Sequence, residues 1–141
     1  MTAKEYLEQY DNADRRAKKL KAEYEKEQEL IDAIRSASDN DGMPHGSGIS
    51  KPTERKALEL ADKRLKWIEA ELDAIEKRQE VFELIYDIDG VEGDVLYERY
   101  VNLRKWEEIC ILVHYSWPGV HLVHRRALDI VENKLKYTKQ L

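Results

Sequence analysis

The stretch WEEICILVHYSWPGVHLVHRRAL, residues 106–128, decides how the C-terminal part of the chain folds. Trp106, Ile109, Cys110 and Val113 recur at the three- and four-residue steps of one helical face. Val120, Val123, Ala127, Leu128 and Val131 repeat that spacing. Between the two runs lie His114, Tyr115 and Ser116. Ser116 is placed to cap the second helix, and Pro118 falls in its first turn, where a missing N–H costs nothing. Two short amphipathic helices joined so tightly form a helix-turn-helix.

Working outward, Val95, Leu96 and Tyr100 sit on a short helix expected from Asp94 to Val101, with Asp94 as its N-cap, and form the third wall of that core. The last helix is expected to run from Pro118 to about Tyr137.

The upstream half reads as two long helices. Thr2 and Glu5 form a capping box, and Ala3, Tyr6, Tyr10, Ala13, Ala17, Leu20, Tyr24, Glu27, Ile31 and Ile34 alternate at steps of three and four. A helix reaching about Ser36 would be roughly 50 Å long. Three glycines and a proline lie between Ser38 and Lys51 and mark a loop. The second helix, expected from Thr53 to Asp87, carries Leu58, Ala61, Leu65, Ile68, Leu72, Ile75, Gln79, Phe82 and Tyr86 at the same spacing. The economical arrangement is an antiparallel hairpin in which each seam buries the other. The expected fold is therefore all-α, with a helical hairpin arm over residues 1–89, its Gly-rich loop at 38–51, and a three-helix head over 90–141.

A second column, Leu60, Trp67, Ala74, Val81 and Ile88, recurs every seven residues about 130° around the same helix from the seam. One neighbour cannot cover both columns. Apolar stripes of this kind mark packing surfaces, so Leu60, Trp67, Val81 and Ile88 are the expected interaction stripe, covered by either a second subunit or the folded-back head, with a homodimer the expected assembly.

The pattern Val95-Leu96, Arg99-Tyr100, Glu107-Glu108-Ile109, Cys110, Ser116, Val120 and Arg126-Ala127-Leu128 resembles the DNA-binding fourth region of bacterial sigma factors. The N-terminal Met1-Thr2-Ala3-Lys4-Glu5-Tyr6-Leu7, Trp106 before the Glu pair and His124 before Arg126-Ala127-Leu128 bring the chain closer to phage ArpU/RinA-type transcriptional regulators. The resemblance implies a phage or prophage regulator that binds double-stranded DNA through its helix-turn-helix and has RNA polymerase as a further partner. The family carries charged or amide side chains just after the turn, where they reach base edges. Here Trp117, Pro118, Gly119 and Leu122 stand at those places. Donors to DNA must come from His121, His124, Arg125 and Arg126, with Arg104 and Lys105 as phosphate contacts and Trp117 as a contact or a cover for the turn.

Charge is unevenly placed. The chain has 24 basic and 29 acidic residues, a formal −5. From Asn102 to Leu141 seven basic residues face four acidic ones, a formal +3, which leaves −8 for the remainder. An acidic arm joined to a mildly basic head suits a charge-asymmetric DNA binder. Charged residues make up 38% of the chain and aromatics 9%, so helix surface is plentiful and bulky core scarce.

Other chemistry finds little footing. Asp39-Asn40-Asp41-Gly42 and Asp87-Ile88-Asp89-Gly90 lack the rest of a calcium-loop ligand series. Cys110, His114, His121 and His124 could be drawn around zinc, but Cys110 stands where a small residue lets two helices cross. No metal, no cofactor and no catalytic residue is expected, and an enzyme is not the expected class. The single cysteine and the lack of any long apolar run suit a cytoplasmic protein with no membrane partner, and the resemblance implies that the cytoplasm is that of a bacterial host. The alternative function is a helical interaction protein, an adaptor or polymerase-docking factor, or a packaging factor like the small terminase.

Overall fold

The structure, a computed structural model, describes residues 1–39 and 51–139, and these are mostly helical, with no strand among them. Helix α1 (Ala3–Leu7) starts at the expected capping box. The Thr2 hydroxyl accepts the Glu5 N–H at 3.2 Å, and the Glu5 carboxylate accepts the Thr2 N–H at 3.1 Å. Glu8 interrupts the helix for one residue while keeping right-handed backbone (φ −75, ψ −8), and α2 (Gln9–Asp39) follows. Helix α3 spans Lys51–Ile85. The Gly-rich loop and the first calcium-like motif fall mainly on 40–50, outside the described residues.

Compactness divides the chain inside the long helices, whereas the sequence suggests a division at residue 90. One unit comprises Met1–Ala13 with Asp73–Leu141, the other Asp14–Leu72.

In the 14–72 unit α2 and α3 run antiparallel. Tyr24 stacks on Trp67 with ring centroids 5.5 Å apart, and three residues further along α2, Glu27 receives Lys63, four residues back along α3, at 3.3 Å. The Lys21 ammonium lies 5.5 Å from the centre of the Trp67 ring. Trp67 is thus covered by the chain's own α2.

This corrects the assignment of the two apolar columns of α3. The expected outer stripe is the inner one: Leu60 and Trp67 are half-buried, and in the other unit Val81 is buried and Ile88 half-buried against the core. The expected seam faces solvent instead, with Leu58 73% exposed, Leu65 55% and Leu72 62%. The physical reason is bulk. Ala17 and Ala70 are buried in the 14–72 unit, and small residues at a crossing let two helix backbones approach, which a Leu-Ile column would hold apart.

In the other unit α3 is followed by α4 (Gly90–Leu96), which passes into a π-helical turn, Tyr97–Val101. The helix begins at Gly90, so Asp94 lies inside it and does not cap it; Asp89 holds the N-cap position. The wider π turn allows the adjacent residues Tyr100 and Val101 both to be buried, as Val95 and Leu96 are one turn earlier. Helices α5 (Trp106–Val113) and α6 (Trp117–Lys139) complete the unit.

Two apolar clusters meet on α6. Val120 and Val123 join Val95 and Ile109 in one. Ala127 and Val131 join Ala3, Leu7, Val81, Ile85, Leu96, Tyr100 and Val101 in the other. The Lys134 ammonium donates to the Leu84 carbonyl at 2.6 Å and pairs with Asp87, so a cation satisfies the last turn of α3. No described helix is long and apolar enough to cross a membrane.

Gly93 on α4 is held against the end of α3. A Cβ at this position would lie 1.9 Å from the Ile88 carbonyl oxygen, a backbone atom that cannot step aside. Gly93→Ala should therefore destabilise the protein by about 3 kcal/mol, the upper end for overpacking. Chemical denaturation of the two proteins measures it, and an unchanged midpoint would contradict this packing.

Candidate nucleic-acid interface

The helix-turn-helix is built by local backbone chemistry. His114 ends α5 in the left-handed conformation (φ 59, ψ 40), and its N–H returns to the Cys110 carbonyl. Ser116 then starts α6, its hydroxyl accepting the Gly119 N–H at 3.2 Å. His114 is not a glycine, so the left-handed bend carries some strain.

With Val120, Val123, Ala127 and Val131 buried, the opposite side of α6 presents Pro118, Leu122, Arg125, Arg126 and Asp129. Arg125, Arg126 and Lys105 are exposed, and no ion pair engages them among the described residues. Trp117 is 49% exposed at the start of the helix and Leu122 46%. The remaining expected donors are placed differently.

Arg104 is committed to carboxylates: its Nε lies 2.6 Å from Glu98, and Glu108 is 3.8 Å away. A phosphate would have to compete with both. Arg99, not among the expected DNA contacts, donates to the Arg104 carbonyl at 3.0 Å and lies over the Trp106 ring at 4.7 Å. His121 is clasped between two indoles, with ring centroids 4.7 Å from both Trp106 and Trp117. Trp117 therefore braces the helix entrance as well as facing solvent.

His124 is a correction. It is 8% exposed and shares a hydrogen bond of 2.7 Å between its Nε2 and the Tyr100 hydroxyl, with Trp106 against its edge. A side chain so enclosed does not reach DNA. Burial raises the Tyr100 hydroxyl above its ordinary value, which keeps it a donor. Burial, helped by the positive charge of Lys4, His121 and Arg99, lowers His124 from 6.5 to about 4. The imidazole is neutral at pH 7, so one ring nitrogen carries a proton and the other can accept one. The spacing of His124 from Ala127 and Val131 places it on the apolar face, which is the signal that could have shown its burial.

Two hollows flank the helices. One of about 180 Å³ is lined by Lys4, Glu8, Arg99, Tyr100, Trp106, His121 and His124. The other, about 440 Å³, lies beside the turn and is bordered by Leu112, Val113, Tyr115 and the acidic Asp94 and Glu98. Among the described residues no cluster of His, Cys, Asp and Glu is arranged to hold a metal ion. Compared with known protein families, curated proteins and solved structures, the chain matches none of them.

His124 makes stability pH-dependent with a defined sign. As pH falls, the unfolded ring takes up its proton near 6.5 but the folded ring only near 4, so the unfolded state gains the proton first and stability declines between those values. The loss from this one group is up to about 3 kcal/mol. Melting temperatures recorded from pH 7 to 4 should fall across that window, and His124→Gln should flatten the decline. An equal slope in both proteins would remove His124 as its cause.

Proposed function

We propose that the chain is a DNA-binding transcriptional regulator of the phage or prophage type, acting on promoter DNA in the cytoplasm of a bacterial host. The observation that carries this reading is the trio of exposed cations Lys105, Arg125 and Arg126, engaged in no ion pair among the described residues, around a capped helix-turn-helix. The resemblance of residues 95–128 to the fourth region of sigma factors and to ArpU/RinA-type regulators points the same way.

Arg125 and Arg126 stand two turns or more into α6, beyond the entrance where base-reading side chains sit. Their part is phosphate neutralisation, which gives affinity without sequence choice. Base contacts fall to the exposed edge of Trp117 and to Leu122, which suit the thymine methyl group better than a hydrogen-bonding edge.

A second reading rests on a specific observation. Ile111 is 74% exposed, and Leu112, Tyr115, Trp117 and Leu122 are exposed around the same turn, next to the hollow bordered by Asp94 and Glu98. Apolar side chains with acidic neighbours suit a protein surface, RNA polymerase among them, better than a phosphate backbone.

Selection of bound fragments from a bacterial or phage genome at moderate salt tests the first reading. Affinity that falls steeply with salt supports it, and salt-independent or absent binding favours the second. Within the first reading, Arg125→Ala with Arg126→Ala should weaken all duplexes alike and flatten the salt slope by about two units. Loss of preference for one sequence with non-specific affinity intact would overturn that division of roles.

A further inference from the structure

In the 14–72 unit one side of α3 is packed and another carries large apolar residues in solvent. Ala17 and Ala70 are enclosed, while Leu58, Leu65, Ile68 and Leu72 face solvent along one side of α3. Within the other unit Ile75 is 62% exposed and Tyr86 67%. In sequence these positions form one unbroken heptad series: Leu58, Leu65, Leu72, Gln79 and Tyr86 at a, with Ala61, Ile68, Ile75 and Phe82 at d. Four heptads of a/d residues flanked by charges are the signature of a coiled coil, and the chain's own α2 takes the opposite side of α3.

We propose that this face is closed by the same face of further copies of the chain, α3 beside α3, parallel and in register. The flanking charges select that partner and that direction. The e positions are Asp62, Glu69, Glu76 and Glu83, and the g positions are Arg64, Glu71, Arg78 and Ile85, all exposed except the buried Ile85. Parallel pairing sets each g residue against the next e residue of its neighbour. Arg64 then meets Glu69 of the second copy and Arg78 meets its Glu83, with one unfavourable contact, Glu71 against Glu76. Antiparallel pairing would set e against e, an acidic row against an acidic row. An unrelated helix would need its own basic complement to that row, whereas this chain supplies its own. Leucine at a with isoleucine at d is the order that favours three or four strands over two. The inference does not depend on DNA binding.

The test uses the full chain. Sedimentation at tens of micromolar should give a mass of several chains, and Leu65→Glu with Leu72→Glu should give monomers. Both residues are exposed in the single chain, so circular dichroism should show the helices retained. With Cys110→Ser as background, Leu65→Cys should cross-link to its own copy on mild oxidation, and Glu59→Cys, away from the a/d face, should not. A monomeric wild-type protein overturns the proposal. So does association that survives the double substitution, or that leaves Leu65→Cys unlinked.

Discussion

One face of α6 holds the C-terminal helices in place. Val120, Val123, Ala127 and Val131 are all but inaccessible, and α1, α4 and α5 each pack on the helix that carries them. The residues are small or β-branched, so neighbouring helices sit close and their side chains are stiff. The N-terminus takes part as well. Ala3 and Leu7 are buried in the same cluster as Val131, so the first two turns of the chain are core for the last helix. The capping box at Thr2 fixes where those turns start.

Because that face is buried, the exposed side of α6 is set by the 100° step of the helix. Arg125 and Arg126 point outward for the same reason that Ala127 points inward. The aromatic-histidine column of Arg99, Trp106, His121 and Trp117 then ties the start of α6 to α5 and to the π turn, in contacts of 4.7 Å throughout. It stiffens the entrance of the helix, where no charged or amide side chain follows the turn. His124 shows the cost of using a polar residue inside: it is tolerated because Tyr100 supplies a hydrogen-bond partner and because the ring stays neutral.

Much of this was legible in the chain itself. Thr2-Glu5 and Ser116 marked helix starts that the backbone adopts, and three-four spacing located the long helices and both helices of the helix-turn-helix. These features depend on hydrogen bonds and periodicities within a few residues. The start of α4 was misplaced because Asp94 looks like a cap, whereas the close approach of Gly93 to the Ile88 carbonyl is a contact between segments. The partners of Arg104 and the burial of His124 escaped the pattern for the same kind of reason. The two residue types suggested donors to DNA, but Glu98 and Tyr100 decide their employment, and neither is a helical neighbour in the sense that spacing detects.

The two columns of α3 draw the line most sharply. Sequence alone determined that the helix carries apolar residues on two sides, since periodicity assigns each residue to a face. It could not assign an occupant to either face, and the bulkier, more regular column looked like the seam. In the 14–72 unit the folded chain decided for the column of Leu60 and Trp67, because alanines at 17 and 70 permit close approach and Tyr24 and Glu27 find Trp67 and Lys63 across it. Which face is covered is a property of two helices at once, and the pattern of one helix does not contain it.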